Sequence, residues 1–272
     1  MESKQFPRGF RFSQTNLDTF GQCRRRFFLR YVRRMDWPAA ITVAAEHWEE
    51  ALERGQLFHQ IVQQHALGIE VEEMVRQSED ALLRQWWRNY VEQPPTGIPA
   101  GEILSEISLV VALGQYRLLA KFDRLVFARD GQIFICDWKT GRQQPVAEKY
   151  QHNWQTLVYR YVLVEGAGAL TEAKKIAPEE VTLVYWHAGF PEHNLTISYS
   201  PEQHRAAREQ IEEVVATISA LEGEDDFPKT EQLELCQRCE YRSYCERGRE
   251  AVADWDIDEE DLDWDLIPEA EL

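Results

Sequence analysis

The chain has no apolar stretch near the roughly 20 residues that a membrane-crossing helix needs, and Met1 to Pro7 contain no apolar signal region. Both absences point to a cytoplasmic protein without a membrane partner. Cysteine is scarce, five in 272 residues, which excludes a disulfide-dense secreted scaffold. Internal repeats, low-complexity body segments and helicase motifs are also missing, so any unwinding of a duplex must come from elsewhere. So is a surplus of positive charge: 30 Lys and Arg face 47 Asp and Glu, a formal net charge of −17. A general polycationic mode of nucleic-acid binding is thereby excluded.

What is present suffices for one large core, since 44% of the residues are hydrophobic. One domain with helical additions is expected over 1–249, with a helical insertion at about 40–95 and a cysteine-bearing cap at about 230–249. Charge is distributed unevenly. Residues 1–40 hold nine Lys and Arg against three acids, including Arg24-Arg25-Arg26, Arg30, Arg33 and Arg34. The helix carrying them is a candidate wall for an anionic ligand. Its aromatic neighbours Phe20, Phe27, Phe28 and Tyr31 recur near helical spacing and read as core. Residues 250–272 hold eleven acids and no base; this stretch reads as a disordered, solvating tail. Its alternation of acids with Trp255, Ile257, Leu262 and Trp264 would also suit mimicry of a nucleic-acid strand.

Periodicity outlines the elements. Ser13 caps a helix running to about Arg34, and further helices span Ala44 to Ala66 and Val71 to Val91. Pro94-Pro95-Thr96-Gly97 breaks the helical period. Strands follow near Ile103 to Leu113, Tyr116 to Phe127, Gln132 to Trp138, Val181 to His187 and Leu195 to Tyr199. Ser200 and Gln203 form a capping signature for one more helix, and Gly223 is a plausible stop. Helices preceding a sheet, with a helix crossing between strands, make an α/β fold.

The chemistry concentrates where two strands meet. Arg129-Asp130-Gly131 is a turn signal between Phe122-Asp123-Arg124 and Ile133 to Lys139, so pairing brings Asp123, Asp137 and Lys139 to one end of a small sheet. Carboxylate oxygens suit Mg²⁺ or Mn²⁺, and a neighbouring ammonium can steer an activated water towards a phosphodiester. An Asp-x-Lys alone is common as solvated charge. Upstream, His59 lies on the helix around Gly55 to Val62; downstream, Gln155 and Tyr159 share a helix face four residues apart. Glu106 begins an alternating strand and reads as solvent-facing. His187 and His193 flank a turn and read as solvated residues.

In this order, His59, Asp123, Asp137-Trp138-Lys139-Thr140-Gly141, Gln155 and Tyr159, the chain resembles the RecB-like branch of the PD-(D/E)xK nucleases over most of residues 10–250. The resemblance implies a restriction-endonuclease-like mixed-sheet core. It assigns the metal to His59, Asp123 and Asp137, with the backbone carbonyl of Trp138 able to add a ligand. Lys139 would activate or position the water, with Asp123, Asp137 and Gln155 as the other catalytic residues; Gln155 and Tyr159 would also contact the DNA strand, with Arg24 and Arg25 as further DNA contacts. Ala120-Lys121-Phe122 stands where the family often places a glycine before the first Asp. The implied activity is hydrolysis of DNA, by analogy at single-stranded ends in repair or recombination, with a helicase or repair complex as partner. The alternative is a DNA-binding scaffold or a partner-dependent nuclease subunit in a repair or CRISPR-adaptation complex.

The cysteines carry a second pattern. Cys136 lies in an apolar strand and reads as a small core hydrophobe. Cys236-x2-Cys239-x5-Cys245 is a tight trio that Cys23 can complete as a four-thiolate site for zinc or an iron–sulfur cluster. One distant cysteine joining three is similar to the AddB nuclease domain and the iron–sulfur CRISPR-associated nucleases. That resemblance implies a 4Fe-4S cluster, with Zn²⁺ as the alternative, stapling the N-terminal helix to the C-terminal segment.

Overall fold

The computed structural model describes residue 6 and residues 10–35, 43–141, 143–170, 175–237 and 239–248. The acidic stretch 250–272 lies outside the described residues. Five strands form one sheet in the order β1 Gly101–Leu113, β2 Tyr116–Ala128, β3 Ile133–Lys139, β4 Val181–His187, β5 Leu195–Ser198. Neighbours are antiparallel except β3 and β4. A parallel pair cannot be joined by a tight turn, and here α6 Ala147–His152 and α7 Trp154–Gly166 lie in the connection. This mixed sheet with helices on its faces is the α/β, restriction-endonuclease-like architecture.

All seven residues of β3 are buried, because helices cover both of its faces. Ile133 and Ile135 join the core beneath α7, while Phe134, Cys136 and Trp138 face the other way. Cys136 is fully buried and its thiol is pushed up to about 12, chiefly by that burial, as suits an inert core residue.

On the second face an aromatic slab holds α3 Val43–Ala66 and α5 Ala81–Glu92 against β3 and β4. Phe58 of α3 stacks on Trp186 at 6.1 Å, and Tyr90 of α5 meets Trp138 and Trp186 edge-on, each at 5.7 Å. Trp186 donates its indole N–H to Gln93 O at 3.0 Å, and Asn89 donates to Ala188 O at 2.7 Å. The indole thus buries its ring without leaving its polar edge unsatisfied. The helix expected over Val71 to Val91 is divided into α4 Glu72–Gln77 and α5, because the Asp80 carboxylate caps the N–H groups of Leu82 and Leu83.

The helix expected from Ser13 to Arg34 is divided too. Ser13 caps α1 Gln14–Gln22, but Cys23 is extended (φ −156°, ψ 109°), and its sulfur accepts from Arg26 N at 3.5 Å to start α2 Arg24–Phe27. A π-helical turn, Phe28–Val32, continues it. Phe20, Phe27, Phe28 and Tyr31 are buried, as their spacing implied.

The arginines meet carboxylates from the other end of the chain. Arg25 and Arg33 pair with Glu224, and Arg26 and Arg30 reach Glu240 at 3.0 and 3.1 Å. Tyr241 adds a hydrogen bond to Met35 O at 2.9 Å. His187 also departs from expectation. Pairing with Lys139 across the parallel ladder leaves it 2% exposed, 3.0 Å from the Tyr150 hydroxyl. His193 remains near the surface, 2.8 Å from Gln144.

Burial pushes the Glu240 carboxyl up, but Arg26, Arg30 and a backbone N–H bring it below its ordinary value of 4.5. The ion pairs therefore stabilise fully above that pH and lose their contribution as pH falls through the lower folded value. Glu240→Gln is expected to cost about 3–5 kcal/mol at pH 7, leaving Arg26 buried without its charge partner. Urea titrations of wild type and variant should show that gap closing as the pH drops below 4.5.

Candidate active site

Register builds the site. The two-residue turn Gly114-Gln115, with Gly114 at φ 57°, aligns β1 and β2 so that Ser105 pairs with Arg124 and Ile107 with Phe122. Glu106 therefore stands opposite Asp123. Pairing of β2 with β3 ends at Arg124 and Cys136, and the next residues, Asp123 and Asp137, stand where the two strands part. Three carboxylates from three strands thus gather at this fork.

Like charges directly opposite destabilise a sheet, and regular pairing lapses here. Glu106 adopts φ 54°, a left-handed backbone that a non-glycine residue rarely takes. Side-chain alternation changes phase there too: Leu118, Ala120 and Phe122 share a core with Leu125, whereas Val126 and Ala128 face the aromatic slab. Beyond the fork, Asp123 accepts the Trp138 N–H at 2.8 Å.

Each acid meets its own base. Lys121 Nζ is 3.3 Å from Glu106, His59 Nδ1 is 3.3 Å from Asp123, and Lys139 Nζ is 2.9 Å from Asp137. Burial and the Asp123 carboxylate hold Glu106 above its ordinary range despite Lys121 and His59. Burial also pushes Asp123 upward, but His59, the Trp138 N–H and Lys139 bring it below its usual value.

His59, Glu106 and Asp123 each offer a donor atom within 4.8 Å of the others. Two carboxylate oxygens and one imidazole nitrogen fit a divalent ion, and the crowded charge at Glu106 is what such an ion would relieve. Asp137 is outside this trio. Its carboxylate is engaged by Lys139 and by Gln155 Nε2 at 2.8 Å. Trp138 meets the site through its N–H.

Glu106 corrects the sequence reading, which placed it towards solvent. Its left-handed backbone takes it out of the expected alternation, and its side chain is only 22% exposed. Counting back equally from the Gly114-Gln115 turn would have found it opposite Asp123.

Two of the residues expected to contact DNA, Tyr159 and Arg25, are largely withdrawn from solvent. Tyr159 is 4% exposed and packs on Phe122 at 5.0 Å, because its turn of α7 lies over the sheet. Burial, with Asp137 and Asp123 nearby, raises its hydroxyl well above the usual range. Arg25 is committed to Glu224 with 14% of its side chain exposed, while Arg24 stays at the surface over the Phe20 ring. Most of the basic run therefore fastens chain segments together. Arg124, which the sequence did not single out, lies over the Trp138 ring and donates to the Tyr90 hydroxyl at 3.2 Å, tying β2 to the slab.

Cys23, Cys236, Cys239 and Cys245 are half-buried and unpaired by any disulfide, and the Cys245 thiol is raised, chiefly by burial. Burial and Glu240 push the Cys239 thiol up to about 12.

A mixed sheet presenting carboxylates and a lysine at its fork defines a nuclease core that uses divalent metal. The PD-(D/E)XK nuclease superfamily profile matches residues 11–246, and the chain belongs to that superfamily. Among solved structures, a Eubacterium rectale protein described as a "putative exonuclease" shares the fold with a TM-score of 0.52 at 10% identity, over 90% of each chain. The crystal structure of SSO0001 aligns at 13% identity and a TM-score of 0.39, over 89% of this chain and 88% of the other. No curated protein matches.

Replacing Glu106 by glycine separates strain from function. Glu106→Gly is expected to raise metal-free stability by about 1 kcal/mol by relieving the left-handed backbone. It should also weaken Mn²⁺ binding at least about tenfold by removing one of three donors. Urea unfolding and titration calorimetry read the two effects separately.

Proposed function

We propose that this protein is a metal-dependent deoxyribonuclease of the RecB-like type, acting as an exonuclease on single-stranded DNA ends in repair or recombination. The observation that carries the reading is the gathering of His59, Glu106 and Asp123 at the strand fork with Lys139 held against Asp137 beside it. The fold neighbour described as an exonuclease points the same way, as does the order of motifs along the chain.

His59, Glu106 and Asp123 would hold Mg²⁺ or Mn²⁺, the imidazole favouring the less oxygen-demanding manganese. The ion, when bound, supplies an activated water and neutralises charge on the scissile phosphate. Asp137 holds Lys139 oriented beside the trio. From there the ammonium donates to the attacking water and to the charge growing on the phosphate oxygens. The low exposure of Asp137 and Lys139, 3% and 7% of their side chains, strengthens that interaction by excluding bulk water.

The four cysteines are read as ligands of a 4Fe-4S cluster, with Zn²⁺ as the alternative. The cluster would staple α1 and α2 to residues 236–245 without taking part in hydrolysis. Cys239→Ala should lose iron and lower the thermal midpoint by about 5–10 °C. Retention of both would refute the staple, and zinc in place of iron would identify the other metal.

The activity is tested by anaerobic purification and a cleavage assay on end-labelled single- and double-stranded DNA with Mg²⁺ or Mn²⁺. Asp123→Ala and Lys139→Ala are each expected to lower the rate at least about a hundredfold, and the product ladder reads end dependence. Wild type that binds DNA but cuts none under any metal would replace the nuclease reading with the DNA-binding scaffold.

A further inference from the structure

Gln155 closes a ring at the site. Lys139 Nζ donates to Gln155 Oε1 at 2.7 Å, Gln155 Nε2 donates to Asp137 Oδ1 at 2.8 Å, and Lys139 Nζ is 2.9 Å from Asp137 Oδ2. Both ends of one amide are thereby committed, one as acceptor and one as donor. A glutamate could not donate to Asp137, and an asparagine is one methylene shorter.

The support beneath this amide is rigid. Tyr159, one helical turn on, is buried and packed on Phe122 at 5.0 Å. Asn153 caps the helix through Thr156 N at 2.8 Å. Thr156 Oγ1 lies 2.6 Å from Tyr150 O and 2.8 Å from the Tyr185 hydroxyl, and the Tyr185 ring lies 5.3 Å from Lys139 Nζ. Arg160 extends from Thr156 O to Ser198 O on β5, at 3.0 and 2.8 Å.

We infer that Gln155 is a positioning residue that fixes the Lys139 ammonium against Asp137, and that neither it nor the buried Tyr159 is a primary contact to the DNA strand. This inference deepens the proposed nuclease site and replaces the role that resemblance gave to the Gln-x3-Tyr pair. The distinction is physical. A strand contact contributes to binding the substrate, whereas a positioning residue contributes to the geometry of a group that acts only as charge develops.

The experiment uses the full-length, metal-loaded protein and a short single-stranded oligonucleotide. Binding is measured with Ca²⁺ in place of the active metal, and cleavage under single-turnover conditions with Mn²⁺. Gln155→Met keeps the side chain's length and removes both hydrogen bonds. It is expected to lower the cleavage rate constant about tenfold to a hundredfold and to leave DNA affinity within about twofold. A fall in affinity matching the fall in rate would overturn the inference and make Gln155 a DNA contact.

A second measurement reads the ring without catalysis. Reductive methylation with labelled formaldehyde, followed by peptide mass analysis, gives the reactivity of Lys139 in the metal-free protein. Lys139 should be slow in wild type and several times faster in Gln155→Met, whose circular dichroism and thermal midpoint should match wild type. Equal reactivity in the two would overturn the positioning role. Absence of cleavage by wild type would count against the nuclease reading, while the labelling result would still decide this one.

Discussion

Electrostatic crowding is the constraint on which the rest of the structure depends. Glu106 and Asp123 face each other because the β1–β2 register puts them there, Asp137 follows the last β2–β3 pair, and like charges set opposite one another destabilise an ordinary sheet. The relief comes from several directions. β1 turns left-handed at Glu106, β3 parts from β2 beyond Cys136, and three bases arrive from three elements: Lys121 from β2, Lys139 from β3 and His59 from α3. Strain and unpaired ladder positions gather here, as they do where a fold has been bent to a chemical purpose.

The rest of the molecule holds those bases in place. His59 reaches Asp123 because Phe58, its neighbour on α3, is stacked on Trp186 inside the aromatic slab. Lys139 is kept in line from the opposite face by α7. The two core faces thus have distinct duties, one delivering a metal donor and the other fixing the ammonium. The ends of the described chain are fastened by Glu224 and Glu240, which take up Arg25, Arg26, Arg30 and Arg33. A chain with a net charge of −17 spends part of its small stock of arginine on this internal fastening.

Much of the fold could be read in the sequence, because the period of apolar residues is set by the same geometry that sets burial. The five strands and the helices α3 and α8 Pro201–Ala220 fall within a few residues of their expected limits. The break at Cys23 could not be read that way, since it depends on a sulfur capping a helix, and apolar period does not register a cap. His187 was misjudged because its burial comes from pairing with a strand about fifty residues earlier. At the site, His59, Asp123, Asp137, Lys139 and Gln155 were visible as an ordered set of chemical types. Glu106 was not, since its place depends on register and on a backbone conformation its residue type disfavours. Arg24 and Arg25 suggested an exposed basic wall, but the carboxylate that takes Arg25, Glu224, lies some 200 residues away, and only the tertiary structure reveals which charges are already taken.

The two-residue turn at Gly114-Gln115 gives the β1–β2 hairpin an unexpected reach. Eight residues separate Gly114 from Glu106, about 25 Å of extended strand, so the turn is remote from the carboxylates. Yet its length decides which β1 side chain faces Asp123. A single residue added to or removed from the tip would slide Ser105 or Ile107 into that position, exchanging a carboxylate for a hydroxyl or a hydrocarbon. The hairpin tip acts as a ruler for the active site, and the length of this distant turn is under chemical constraint although no residue in it need touch the reaction.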